Sequence, residues 1–398
     1  VGPKLEHIVA KTTPEWVSRW LQDPKSFKTS NYMPRFWNLE NNLDEHTGSR
    51  NETEISAIVA YVFDKAKPLK YEVVPAGDVA SGKALIESVG CLGCHITDEN
   101  NLEEAGWYRT RGASLSGLGS KVSREFLFNW VKDPKHYWEE TFMPDLRLTD
   151  REAADITAYL LTLRNESFEG ISVPQVSADA LDEITLEFLQ TGLPAAQAQE
   201  KLSTMPEEEK LLYSGERLIS RYGCFGCHDI DGFENAQKIG VDLSTWGSKM
   251  VTRLDFGYVD ISHTRKSWLE QKLRHPRSYD RGKVKSPPEK LRMGDFGFTD
   301  AEISTISRKV LGQTRDELPR EATKNLSASE SYAEKARRLM HNYNCRGCHI
   351  IDGFGGGIYE TEVMKQDVGF RPPNLNTQGA RTQADWLFDF LKEPSEVR

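Results

Sequence analysis

The sequence predicts an all-α chain of tandem helical domains joined by linkers. Three observations carry that prediction. A Cys-x-x-Cys-His run occurs three times, a long stretch aligns with the chain's own start without gaps, and amphipathic segments with helix-start signatures recur around each run. At 398 residues the chain has room for two to four domains. A hydrophobic content of 38% with 28% charged residues suits small domains with modest cores. Such domains gain stability when a large apolar group supplies part of the core. No run approaches the ~18 apolar residues needed to span a bilayer. The net charge of −9 argues against nucleic acid as a partner.

The three runs are Cys91-Leu-Gly-Cys94-His95, Cys224-Phe-Gly-Cys227-His228 and Cys345-Arg-Gly-Cys348-His349, and they use all six cysteines. Two thiols at this spacing can form thioethers to the vinyl groups of a haem, and the adjacent imidazole can ligate its iron. Zinc binding and thiol redox chemistry also use Cys-x-x-Cys, so both stay open as competitors. Three matches with the histidine always in place and no cysteine left over favour haem c.

These residues resemble the monohaem class I cytochrome c family, repeated in tandem so that each complete domain wraps around one covalently bound haem. The first expected unit, residues 1–69, reads as the second half of such a domain. Trp16-Val-Ser-Arg-Trp20-Leu-Gln-Asp-Pro24 aligns with Phe126-Leu-Phe-Asn-Trp130-Val-Lys-Asp-Pro134. Met33-Pro34 and Met143-Pro144 follow the two prolines at the same distance, and Gly2-Pro3-Lys4-Leu5 falls opposite Gly112-Ala113-Ser114-Leu115. In the family a Gly-Pro-x-Leu segment follows the haem motif and its proline buttresses the histidine. The motif of this first unit is therefore expected upstream of the segment, with Met33 serving a further haem attached there.

Residues 70–165 read as a complete domain. Asp78 suits the N-cap of a helix over Val79–Val89, since its carboxylate can accept orphan N–H groups. Residues 166–205 read as a linker with short helices, Asp179–Leu189 being the clearest. Residues 206–320 read as the next domain, opened by a helix that starts at Pro206 and runs to Tyr222. Trp268-Leu-Glu-Gln-Lys-Leu-Arg-His-Pro276 keeps the Trp-to-Pro step, but Met293 arrives eight residues late. The basic insertion Arg281–Lys290 reads as an exposed loop, and Gln313–Asn325 as a connector. Residues 321–398 read as the first part of a last domain, with Ser329 capping Glu330–Asn342. Its axial methionine is expected beyond the segment. The last helix of each domain carries a capping signature, Asn51-x-x-Glu54, Thr149-x-x-Glu152 and Thr299-x-x-Glu302. Gly82, Gly215 and Ala336 each stand nine residues before a first cysteine, where the family uses a small residue for a close helix crossing.

The resemblance implies Cys91, Cys94, Cys224, Cys227, Cys345 and Cys348 as haem anchors, and His95, His228 and His349 as proximal ligands. Met143 and Met293 are the expected sixth ligands of the second and third units, and Met33 that of the first. Met250 is the rival of Met293, while Met364 reads as packing. His7, His46, His136, His263, His275 and His341 read as surface or capping residues, with His136 and His263 the alternatives to methionine. The buttress proline is present as Pro3 and Pro373 but replaced by Ala113 and Val241. Asp231-Gly-Phe and Asp352-Gly-Phe read as turns, and Gly355-Gly-Gly357 as backbone close to haem.

A six-coordinate iron leaves no open position, so the expected role is electron transfer between redox proteins through successive His/Met haems, three of them attached in this chain. Alternatives are a cytochrome subunit of a larger respiratory oxidoreductase and a peroxidase-like multihaem enzyme. The expected setting is periplasmic or otherwise extracytoplasmic, because haem c attachment needs export. Partners with basic docking patches or a membrane respiratory complex fit the acidic charge. No small-molecule substrate is required, and membrane association would come through parts outside this segment.

Overall fold

Helices carry nearly all the regular structure of the computed structural model, which describes residues 2–43, 47–99, 111–315 and 324–396. Among the described residues the strands are confined to a two-stranded antiparallel hairpin, Ile350–Ile351 with Phe354–Gly355. Among these described residues no helix is long and apolar enough to cross a membrane. The chain divides into two compact units. One holds Val1–Lys70, Lys121–Ser123 and Asn165–Thr323; the other holds Tyr71–Ser120, Arg124–Arg164 and Lys324–Arg398.

In the first unit the Gly48–Lys65 helix packs along the Glu207–Tyr222 helix. The crossing is close because Gly215 has no side chain: a Cβ there would stand 2.1 Å from the Ala57 carbonyl oxygen. Ile55, Ile58, Tyr61 and Val62 on one helix and Leu218 and Ile219 on the other are buried in a common core. Trp16 stacks on Trp20 (centroids 5.3 Å apart) and meets Phe27 and Phe168 edge-on or tilted. The expected linker 166–205 is not a spacer. Ala178–Leu189 is a helix that buries Leu181, Ile184 and Leu189, and Arg50 pairs with both Glu183 and Glu187. The pattern of apolar residues every three or four positions on that helix is what lets it join the core.

A separate core in the same unit gathers Trp246, Leu254, Phe256, Leu269, Leu273, Ile303 and Val310. Its helices are Arg265–Arg274 and Asp300–Leu311. The insertion Arg281–Lys290 is more anchored than an exposed loop. Arg281 pairs with Glu40, Lys285 with the buried Asp280, and Arg221 donates to the Pro287 carbonyl.

In the second unit Val79–Ser88 crosses Asp150–Leu160 with Gly82 at the contact, where a Cβ would lie 1.9 Å from the Asp155 carbonyl oxygen. Asp78 caps the first helix by accepting from the Ser81 N–H, and Thr149 with Glu152 forms a capping box on the second. Thr299 and Glu302 do the same for Asp300–Leu311. Two predicted caps differ. Ser327, not Ser329, caps Ala328–Asn342, because it is the serine with Glu330 three residues on. The helix expected to start at Asn51 already starts at Gly48, and Asn51 instead donates to Asn38 and to the Asn42 carbonyl. His46 and part of the connector Gln313–Asn325 lie outside the described residues.

Candidate functional site

Each Cys-x-x-Cys-His run is a tight turn entered through a left-handed residue: Gly90 (φ 109°), Gly223 (φ 72°) and Asn344 (φ 52°). All six thiols are free. Burial pushes the Cys91 thiol up to about 11, Cys224 up to about 12 and Cys348 up to about 11. Reactive Cys-x-x-Cys redox pairs lower the pKa of a thiol instead, a direction opposite to that of Cys91, Cys224 and Cys348. Among the described residues no group of three or more His, Cys, Asp or Glu is gathered closely enough to hold a metal ion.

The three histidines share one arrangement. The ring Nδ1 lies 2.5 Å from the Ala113 carbonyl oxygen in His95, 2.9 Å from that of Pro3 in His228, and 2.8 Å from that of Pro373 in His349. A carbonyl only accepts, so each Nδ1 carries the proton and each Nε2 keeps its lone pair for iron. The leucine two residues further on closes each loop. Leu115 N–H donates to Ile96 O (2.8 Å), Leu5 N–H to Asp229 O (3.1 Å) and Leu375 N–H to Ile350 O (2.9 Å). Gly112 and Gly2 give the imidazoles room, since a Cβ on either would come within 2.6 Å of a ring carbon. Burial lowers the pKa of His228, which favours the neutral ring that iron requires.

Two of the candidate methionines are held by indoles. Trp20 Nε1–H donates to Met33 Sδ over 2.8 Å, and Trp130 Nε1–H to Met143 Sδ over 3.0 Å. An indole thus fixes each thioether in place. The donor set of reduced cysteines, imidazole Nε2 and oriented sulfur is what a covalently bound, His/Met-ligated haem c needs, and the residues fit it.

The pairing differs from the sequence expectation. His228 is buttressed by Pro3 and not by Val241, which is exposed. Gly2 N–H donates to the Cys227 carbonyl (2.7 Å), just as Gly112 N–H does to that of Cys94 (2.8 Å). Met33 and Cys224 pack against one core. The segment 1–69 therefore completes the motif at 224–228, which lies downstream of it, and not a motif upstream. Met293 sits in the other core, and its indole neighbour Trp268 donates to the Asp255 carbonyl. Cys224 packs on the first core and Met293 on the second. The signal for this pairing was in the sequence: Gly2-Pro3-Lys4-Leu5 keeps the buttress proline that Val241 replaces.

Other candidates fall into place. Met364 is buried, and its carbonyl accepts from Arg371. Met250 is exposed. His263 stacks on Phe256, and the His136 backbone N–H donates to the Asp133 side chain that caps a short helix. Gly355 and Gly356 press on the 345–349 motif, with Gly356 N–H donating to the Arg346 and His349 carbonyls.

Helix, cysteine pair, buttressed histidine and indole-held methionine together define a c-type cytochrome domain in the second unit. Residues 79–164 match the family model for cytochrome c. That domain is built for covalently bound haem c and electron transfer. No curated protein and no solved structure matches the chain.

Proposed function

We propose that the chain is a multihaem c-type cytochrome that carries electrons between redox proteins, with haem c at 91–95, 224–228 and 345–349. The observation that carries this reading is the repeated Nδ1-to-carbonyl bond, which presents Nε2 identically at His95, His228 and His349. A haem bound at such a site supplies one-electron exchange between ferric and ferrous iron. Met143 serves the haem at 91–95 and Met33 the haem at 224–228. The chain contributes no substrate chemistry. Thioether attachment requires export, so the setting is the periplasm or another extracytoplasmic space, with redox proteins or a membrane respiratory complex as partners. The acidic charge favours basic docking patches, and docking weakens with salt.

The test is a pyridine haemochrome assay together with mass spectrometry of haem-bearing peptides. Three haem-modified peptides, one per motif, are expected. A chain without covalent haem overturns the reading.

A further inference from the structure

In the second unit the Cys-x-x-Cys-His runs that open at Cys91 and at Cys345 meet glycine to glycine. A Cβ on Gly93 would stand 2.9 Å from Cys348 Sγ, and one on Gly347 would stand 2.6 Å from the Gly93 carbonyl oxygen. The equivalent Gly226 of the remaining motif has nothing within 4 Å. Close approach therefore explains this glycine in two motifs and not in the third.

One side chain bridges the contact. Asn344, 6% exposed, donates through Nδ2 to the Gly93 carbonyl (3.3 Å) and to Cys94 Sγ (3.2 Å). It occupies the left-handed position that Gly90 and Gly223 hold in the other motifs. Asparagine is among the few residues that tolerate this conformation, and unlike glycine it brings an amide. Ile358, buried at 1%, lies 3.7 Å from where a Cβ on Gly90 or on Gly93 would be, and seals the contact from solvent.

We infer that the sites at 91–95 and 345–349 form a coupled two-haem junction, with Asn344 as the positioning residue that joins them. The inference rests on haem attachment at both motifs. A thioether sulfur is bonded to the porphyrin rim, so neighbouring Cys94 and Cys348 sulfurs place two rims side by side. One electron leaving a ferrous iron at one site is taken by a ferric iron at the other, with no further reactant. Positive charge on one iron opposes oxidation of its neighbour in this dry contact, so the pair titrates in two macroscopic steps. The Asn344 amide polarises Cys94 Sγ and favours the reduced state of that haem.

The experiment is electron paramagnetic resonance and a spectroscopic redox titration of the full holoprotein, with haem peptides counted in parallel. Two ferric haems are expected to show a spin–spin interaction that disappears on half-reduction, and the third to behave as an isolated centre. Asn344→Gly keeps the backbone conformation and removes the amide. It should shift the reduction equilibrium of the 91–95 haem up to tenfold toward oxidation, about 59 mV for one electron. Gly347→Ala should abolish the spin–spin interaction with all three haems still attached, and Gly226→Ala should leave every signal unchanged. Haem missing from the 91–95 or 345–349 peptide overturns the attachment reading and this inference with it. Three attached haems with spectra and midpoints of independent centres overturn the junction alone, whether or not the alanine variant folds.

Discussion

The Nδ1 of His228 lies 2.9 Å from the carbonyl oxygen of Pro3, 225 residues earlier in the chain. The first residues of the sequence thereby buttress the histidine of a Cys-x-x-Cys-His run that follows a whole intervening cytochrome domain. Met33 travels with Pro3, while Met293, which follows the motif in sequence, belongs to another core. Met33→Ala should remove the near-infrared sulfur-to-iron band of the haem on the 224–228 peptide. Its potential should fall, within the ~0.8 V range that axial ligands span. Met293→Ala should leave that haem unchanged. Absorption and potentiometry of the two variants decide between the pairings, and the reverse result would return Cys224 to the segment that follows it.

Trp20 and Trp130 donate to the sulfurs of Met33 and Met143. A donor on the thioether draws electron density from sulfur and favours ferrous over ferric iron. Trp20→Phe and Trp130→Phe keep the aromatic packing and lose the N–H. Taking a net hydrogen bond as about 1 kcal/mol, each should lower the potential of its own haem by roughly 40 mV. Trp268→Phe removes a bond to a backbone carbonyl instead and should cost stability without moving either potential. Equal shifts in all three variants would show that the indoles act through packing.

Local chemistry was legible in the sequence, and most long-range partnership was not, the buttress proline Pro3 being the one signal of it. Thr149 with Glu152 and Thr299 with Glu302 form the boxes their spacing predicts, because a cap depends on four consecutive residues. The motif histidines find a carbonyl whether the buttress residue is Pro3, Ala113 or Pro373, since the backbone supplies the acceptor. Asn51-x-x-Glu54 has the same spacing but fails as a cap. Glu54 is instead a buried acceptor for Trp37 (3.0 Å) and Tyr222 (2.6 Å). Nothing in four residues reveals partners 17 and 168 positions away. The helix Ala178–Leu189 was visible as a helix, but its burial against Gly48–Lys65 was not, because an apolar stripe does not name what covers it.

That Glu54 cluster yields a stability prediction. The carboxylate is 3% exposed and also accepts from Arg50 Nε at 3.1 Å, and Arg50 itself is 6% exposed. Burial and the Glu54 charge together hold the Tyr222 phenol well above its usual pKa, so it remains a donor. Glu54→Ala strips Arg50, Trp37 and Tyr222 of a shared acceptor at once. Breaking a buried pair from one side typically costs about 3–5 kcal/mol, here moderated because Arg50 keeps Glu183 and Glu187. Chemical denaturation should show that loss. Because Tyr222 stands two residues before Cys224, haem loading at 224–228 should fall while loading at 91–95 persists. An unchanged unfolding midpoint would mean that Glu54 is solvated.

Gly82 and Gly215 occupy one register, nine residues before a first cysteine, and both sit under a backbone carbonyl of the crossing helix. Alanine normally favours a helix over glycine by roughly 1 kcal/mol. Here its methyl group would stand 1.9 Å from Asp155 O or 2.1 Å from Ala57 O, and a carbonyl within a helix cannot turn aside. The crossing must open, and overpacking of this kind costs typically about 1–3 kcal/mol. Gly82→Ala and Gly215→Ala should each lower the thermal midpoint and the haem content of the following motif. Position 336 provides the contrast, since Ala336 is exposed on its helix. Ala336→Gly should cost only the propensity difference and leave the haem at 345–349 in place. The three variants, compared by thermal melts and haem-peptide counts, separate a crossing constraint from helix propensity, for propensity alone would stabilise the first two and destabilise the third.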